Sequence, residues 1–370
     1  MRIVAILYGA WMCLALASSA HAQIRIGQPS GFTGSVASGV KENTVGAKLY
    51  LDSINRQGGV LGQQVELISV DDQFDPATTA TQATRLITEQ QVIALFLNRG
   101  TPHAQALLPL LAEYRIPLVG PSTGAMTLHD PVHPWVFNVR APYQREAVRG
   151  IKHLVSLGIT RIAVLQTDDS FGADAAIGAD IGFVIAKLKP VLVKKFPREK
   201  PDFTELARLV QQSNAQAVLY LGSSGNVANG VKALREIGST VQVVTLSNNA
   251  SEGFIKLLGP HALGVIVTQV FPNERAINYR LIREAQSLAK AQGLVGVSPA
   301  MIEGFAAAKV LVEGLRRAGP RPTPSGLRDA LEGIRKFDLG GLDISYSPAS
   351  HSGLDFSDLS IIGANGKFMR

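Results

Sequence analysis

The sequence predicts an α/β fold: two doubly wound, parallel-sheet lobes, one after the other. Three observations lead there. Short, near-continuous apolar runs alternate with segments of helical periodicity, the pattern of parallel strands covered on both faces. The alternation runs through one series, restarts near Pro134, and runs again. At 370 residues the chain exceeds what one core ordinarily organises. Its 46% apolar and 18% charged composition is that of a globular protein rather than a disordered one.

The first segment, "MRIVAILYGAWMCLALASSAHAQ", has a basic Arg2, an apolar run from Ile3 to Leu16, and small residues leading to Ala22. It reads as a secretory signal peptide over residues 1–22, cleaved after Ala22. The run is shorter than the ~20 residues that span a bilayer. Cys13 is the sole cysteine and lies inside this leader, in a poor context for lipid attachment. The exported chain is therefore expected to hold no disulfide and no thiol nucleophile.

The first series then unfolds in order. "IRIGQPS" is a strand. "VKENTVGAKLYLDSINRQGG" is a helix with Ala47, Leu51 and Ile54 on one face, stopped at Gly58-Gly59. "QVELISVDD" is a strand. Asp75-Pro76 supplies an N-cap and a first-turn proline for the next helix. "VIALFLN", "PHAQALLPLLAEY" and "IPLVGPS" give strand, helix, strand. In the second series "PWVFNVRAP" reads as a strand leading into the helix "YQREAVRGIKHLVSLG". Four strands follow ("RIAVLQTDD", "PVLVKKFP", "AVLYLGSS" and "VQVVTLSNN"), each with its own helix, and then the strand "LGVIVTQVF". Helices expected at Ala276–Gln292, Ala300–Ala318 and Pro324–Ile334 complete the first lobe, so the chain passes between lobes more than once. A β-rich end closes the chain.

Several function classes fall away. Net charge is +7, but the basic residues are scattered, with only short pairs such as Lys194-Lys195 and Arg316-Arg317. Nucleic-acid binders concentrate charge and interleave aromatics; neither occurs, which leaves a solvated surface or docking to a membrane partner. "GSSG" at Gly222 is one residue short of a nucleophile elbow, and no phosphate loop is present. No enzyme and no cofactor are expected. "DDQFDP" lacks the glycine and terminal glutamate of a calcium loop and reads as a helix cap. His129 and His133 have zinc-ligand spacing, but Pro131 and Pro134 remove the helix that would give it meaning.

The corner "LFLNRGTPHAQALLPLL", Leu95 to Leu111, carries the functional signal. Ligands of open α/β sheets sit outside the carboxyl ends of the strands. There, Thr101 is expected as N-cap and Pro102 as first helical residue, leaving the His103 and Ala104 N–H groups to receive a carboxylate. Arg99, directly after the strand, is a candidate to pair with it bidentately. Ser122, Thr123 and Gly124 repeat the arrangement after the neighbouring strand.

At these residues a resemblance becomes specific. "SGFTGSVASGVKENTVGAKLYLDSINRQGGVLGQQVELISVDDQFDP", "GTPHAQALLPLLAEYRIPLVGPSTGA", "ITRIAVLQTDDSFGAD", "DFTELARLVQQSNAQAVLYLG" and "IEGFAAAKVLVEGL" keep the order and spacing of another group. The chain resembles the type I periplasmic substrate-binding proteins of ABC transporters, in the leucine/isoleucine/valine-binding family. The resemblance implies two lobes joined by three crossings: lobe I over 23–141 plus 272–350, and lobe II over 142–271 plus 351–370. It implies a periplasmic, monomeric protein that closes on a small ligand by hinge bending and delivers it to an inner-membrane permease. A periplasmic sensor of the same fold, signalling to a membrane kinase, is the alternative.

The resemblance also implies ligand contacts at Ser38, Thr101, Ser122, Thr123, Gly124 and Phe171. Two positions depart from it. Ser223 stands where amino-acid binders place an aromatic, and Ser247 where they place the acid that pairs with the ligand ammonium. A buried ammonium without a counter-charge costs several kcal/mol. A carboxylate ligand without that amine, such as an aromatic or aliphatic acid, then fits better, unless Glu303 or Asp169 supplies an acid from another direction.

Overall fold

The computed structural model describes residues 23–369, so the expected leader and Cys13 lie outside the described residues. Strands β1 (Ile24–Ser30), β2 (Val65–Asp71), β3 (Ala94–Phe96), β4 (Leu118–Val119) and β5 (Val136–Phe137) form a parallel sheet in the order β2-β1-β3-β4-β5. A second sheet holds β6 (Ile162–Thr167), β7 (Leu192–Phe196), β8 (Ala217–Leu221), β9 (Gln242–Thr245) and β10 (Ile266–Gln269). Its order is β14-β13-β10-β9-β8-β6-β7, with β13 (Asp358–Ile362) and β14 (Phe368–Met369) added antiparallel. A hairpin of β11 (Phe337–Asp338) and β12 (Asp343–Ile344) stands apart.

Each parallel set repeats one winding: the second strand lies outside the first, and the third starts on the other side. Ligands of such sheets sit where that order reverses, between β1 and β3 in one lobe and between β6 and β8 in the other.

Alternation along each strand builds two cores per sheet. In β3, Ala94 and Phe96 join the core that also holds Ile26 and Phe305, while Leu95 faces Leu86 and Leu107. In β8, Val218 and Tyr220 face one side, and Ala217, Leu219 and Leu221 the other. The helices covering the first sheet are α1 (Ala37–Arg56), α2 (Pro76–Thr88) and α3 (Thr101–Glu113). They are joined by α9 (Arg280–Ala291), α10 (Pro299–Ala318) and α11 (Pro324–Glu332), whose apolar faces complete the first core. Around the second sheet lie α4 (Tyr143–Ser156), α5 (Ser170–Ala186), α6 (Phe203–Gln212), α7 (Ser224–Glu236) and α8 (Glu252–Leu258). The chain passes between sheets after β5, after β10 and before β13. The first and third passages are bonded together, Asn138 N to His351 O at 2.9 Å and Leu354 N to Val139 O at 3.1 Å.

α1 and α10 touch backbone to backbone. A Cβ on Gly304 would lie 1.8 Å from Asn43 O, and one on Gly46 would lie 1.9 Å from Met301 O. This contact places the N-terminal half of α1 against the space between the sheets.

Two expected elements differ. The helix read from Ala276 begins at Arg280, because residues 273–279 close on themselves in turns (Ala276 N to Asn273 O, Tyr279 N to Ala276 O). The strand read across "PWVFNVRAP" is only Val136–Phe137, since Asn138 and Val139 pair with the third passage instead.

Candidate functional site

The carboxyl ends of the two sheets face each other, and the residues that leave them meet. From β3 the chain turns at Gly100, whose φ of 102° suits glycine. Gly100, not Thr101, is therefore the N-cap, and the helix starts one residue earlier than expected. Thr101 is freed from capping and its Oγ1 meets Thr123 Oγ1 at 2.8 Å. Of the two amides expected to be free, that of Ala104 donates to Gly100 O at 2.9 Å, so it is not available.

Arg99 is only 4% exposed. Its Nη1 donates to Ser122 Oγ at 3.0 Å, and its Nη2 to the backbone carbonyl of Asn248 in the opposite lobe. Among the described residues no carboxylate lies within ion-pair distance of it. A buried guanidinium held only by neutral acceptors is poorly compensated. It is the chemical feature of this cleft best suited to an anion.

The second lobe supplies the facing wall. Asp169 caps α5, accepting from Gly172 N at 3.0 Å, and its other oxygen pairs with Arg198 of the loop after β7. The Arg198 guanidinium lies 4.8 Å over the Phe74 ring of the first lobe, and Phe74 stacks on His103 at 4.2 Å. Burial pushes the His103 imidazole down to about 4, so it is neutral there at pH 7. Phe171, in the first turn of α5, sits edge-on to Tyr143 at 5.0 Å. Ser223 caps α7 through Asn226 N at 3.4 Å. These groups enclose a void of about 20 Å³, room for about one water.

The lobes are closed upon each other. Besides the Arg99–Asn248 contact, Gly225 N donates to Ser35 O at 3.2 Å. Glu42 of α1 accepts from Glu252 N and Gly253 N at the start of α8, at 3.0 and 2.8 Å, and from Ser298 Oγ at 2.6 Å.

Behind the void lies a buried ionic cluster at the first passage. Arg140 pairs with Glu146 and donates to Ser247 Oγ at 2.8 Å; Glu146 also accepts from Ser247 N at 2.8 Å and from Thr268 Oγ1. Burial raises the Glu146 pKa, against the opposing pull of Arg140. Burial alone would lower that of Arg140, but Glu146, Tyr143 and Glu303 together raise it. Both effects favour a paired charge that joins α4 to β10 and to the loop after β9.

The ten expected site residues divide accordingly. Arg99, Thr101, Phe171 and Ser223 line the void, and Ser122 and Thr123 lie directly behind it, bonded to Arg99 and Thr101. Ser247 and Glu303 border a smaller void of about 10 Å³ on the passage side. Two residues do not line either void. Ser38 packs against Gly253, where a Cβ on the glycine would lie 2.2 Å from its own, and Val36 takes its place in the wall. Gly124 seats the first passage: its carbonyl accepts from Tyr143 N at 2.7 Å, and a Cβ would meet Ala141 O at 2.7 Å. The lining residues not foreseen are Val36, Phe74, Tyr143, Thr167, Arg198 and Asn248. Phe74 lies in the acid-rich "DDQFDP" loop, read only as a helix cap, and Asn248 adjoins Ser247. Arg198 carries no local signal.

Two wound lobes with a polar, cation-bearing space between their strand ends define a cleft receptor. The comparisons say which kind. A family profile for periplasmic binding proteins matches residues 23–355, and the chain belongs to that family. A substrate-binding periplasmic protein from Ralstonia solanacearum is 31% identical, with 94% of this chain and 99% of that one covered at a TM-score of 0.86. The Leu/Ile/Val-binding protein homolog 6 of Brucella abortus is 24% identical over 73% of this chain and 70% of its own. A branched-chain amino acid ABC transporter structure from Thermus thermophilus with bound valine shares the fold at 20% identity, covering 94% of each chain at a TM-score of 0.83.

Proposed function

We propose that this protein is the solute-capturing component of an ABC importer, taking a small carboxylate into the interlobe cleft and handing it to an inner-membrane permease. The observation that carries the reading is Arg99: buried, central, and bound only to neutral oxygens on both sides of the cleft. A ligand carboxylate gives it a charged partner in place of the Asn248 carbonyl. Thr101, Thr123 and Ser122 stand beside it as hydroxyl partners, and Phe171, Tyr143 and Phe74 offer apolar ring faces.

The cycle follows from the closed geometry. A void of about 20 Å³ admits no such ligand, so the lobes open first, breaking the Arg99, Ser35 and Glu42 contacts across the cleft. The ligand binds the first lobe through Arg99 and the Thr101–Thr123 pair. Closure then adds Phe171, Ser223 and Arg198, and contacts made only when closed shift the balance towards that state. The names of the relatives support a transport role, as does the family's substrate-binding fold. The test is a thermal-shift screen of amino acids, aromatic acids, short fatty acids and their amides. Ligand at about 100 times its Kd adds about 2.7 kcal/mol. Stabilisation by carboxylates and not by the matching amides is expected; stabilisation by amides alone overturns the reading.

A further inference from the structure

Glu303 holds an acid that the cleft, as described so far, does not use. It projects from α10 in the first lobe, is 6% exposed, and its Oε1 has no hydrogen-bond partner among the described residues. It borders the smaller void with Ser247 and Gln269 of the second lobe, and the Gln269 side-chain nitrogen is likewise without a partner. Ser247 borders this void while its neighbour Asn248 borders the main one. The Asn248 carbonyl, next along the chain from Ser247, is the group that Arg99 holds in the absence of a better partner.

The other buried acids of the region are committed. Asp169 serves Gly172 N and Arg198, Glu146 serves Arg140, Ser247 and Thr268, and Glu42 serves two amides of α8 and Ser298. Arg140 lies near enough for Glu303 to raise its pKa, but its hydrogen bonds go to Glu146, Ser247 and its own backbone neighbour. Two buried charges of opposite sign, Arg99 and Glu303, are thus left without an ion pair at the closed interface.

We infer that Glu303 is the anchor for an ammonium group on the ligand, so that the captured solute is an amine-bearing carboxylate. This rests on the carboxylate reading above and specifies it. When the ligand draws Arg99 off Asn248, the two voids join. The solute then spans them with its carboxylate at Arg99 and its amine at Glu303. The acid missing at Ser247 is replaced from the opposite lobe, and Ser247 leaves space for the amine to pass.

Calorimetry on the leader-free protein with matched pairs tests this: leucine against 4-methylpentanoate, phenylalanine against 3-phenylpropanoate, 4-aminobutanoate against butanoate. The expected result is that in at least one pair the amine-bearing member binds about 30-fold tighter or more. Glu303→Gln removes that preference and changes the amine-free member by less than about threefold. Glu303→Asp retains part of it. Equal wild-type affinity for both members of every pair that binds overturns the inference and leaves the carboxylate reading standing. It is equally overturned if Glu303→Gln weakens both members alike, since the residue then serves Arg140 and closure. If no carboxylate binds, and amides or neutral solutes do, the reading on which the inference rests falls with it.

Discussion

Replacing Arg99 by glutamine separates its work in the liganded protein from its work in the empty one. In the closed cleft the guanidinium gives one hydrogen bond to Ser122 Oγ and one to Asn248 O. Both acceptors are neutral, and the residue is 4% exposed. Truncating one partner of a buried, hydrogen-bonded charge pair costs about 2–5 kcal/mol of binding. At about 1.4 kcal/mol per decade that is roughly 30- to 4,000-fold in Kd. The ligand-free protein behaves differently. It loses two hydrogen bonds of about 1.5–3 kcal/mol each, but it also sheds a buried cation whose desolvation penalty is several kcal/mol. These terms nearly offset, so the ligand-free Tm stays within a few degrees of wild type. Arg99→Lys keeps the charge but not the planar fork and falls between the two. Calorimetry with the best carboxylate from the screen measures the first effect, and a melt without ligand the second. If Arg99→Gln binds that carboxylate within threefold of wild type, the anion-site argument is refuted.

Two further outcomes concern the frame and its pH dependence. Gly304→Ala drives a methyl group to 1.8 Å from Asn43 O, so α1 and α10 must separate; we expect a loss of about 1–3 kcal/mol or more in urea unfolding, with weaker ligand binding because α1 faces the cleft. His129 is buried and its pKa falls to about 4, from desolvation first and the Arg140 charge second. Its unfolded pKa is about 6.5, so the unfolded chain takes up the proton first, and stability is lost as pH falls from about 6.5 to 4. A depression of that size corresponds to about 3 kcal/mol. His129→Gln should reduce the stability difference between pH 7 and pH 4 by that order, and an unchanged difference would show that the imidazole is not the group involved.

Much of the framework is legible locally. Asp75 caps α2 through Thr78 N at 2.7 Å, as the Asp-Pro pair implies, and Pro76 opens the helix. Ala47, Leu51 and Ile54 face the core at helical spacing. These features depend on neighbours within about one turn, so a linear reading reaches them. The errors have equally local causes. Thr101 looks like a cap because glycine's tolerance of a φ of 102° is not visible as an instruction. The start of α9 moves from Ala276 to Arg280 because turns from Asn273 onward capture backbone groups that a helix would have used.

The site is less legible than the frame. Arg99, Thr101, Ser122 and Phe171 follow strands directly, so strand-end reasoning finds them. Phe74 and Arg198 lie more than a hundred residues apart and meet only because β2 and β7 occupy corresponding outer places in their sheets. Gly124 and Ser38 look like ligand contacts in the linear pattern, yet they serve Tyr143 and Gly253.

By itself, the order of apolar and amphipathic segments determined two wound lobes and the strand ends where a ligand belongs, because burial of one face is a property each segment carries alone. Which charges are spent and which remain free was decided by the closed tertiary arrangement. Asp169 loses its freedom to Arg198, Glu42 to the start of α8, and Glu146 to Arg140, while Arg99 and Glu303 keep theirs. An ionic partner is a matter of a few ångströms across the cleft, and no spacing along the chain encodes that distance.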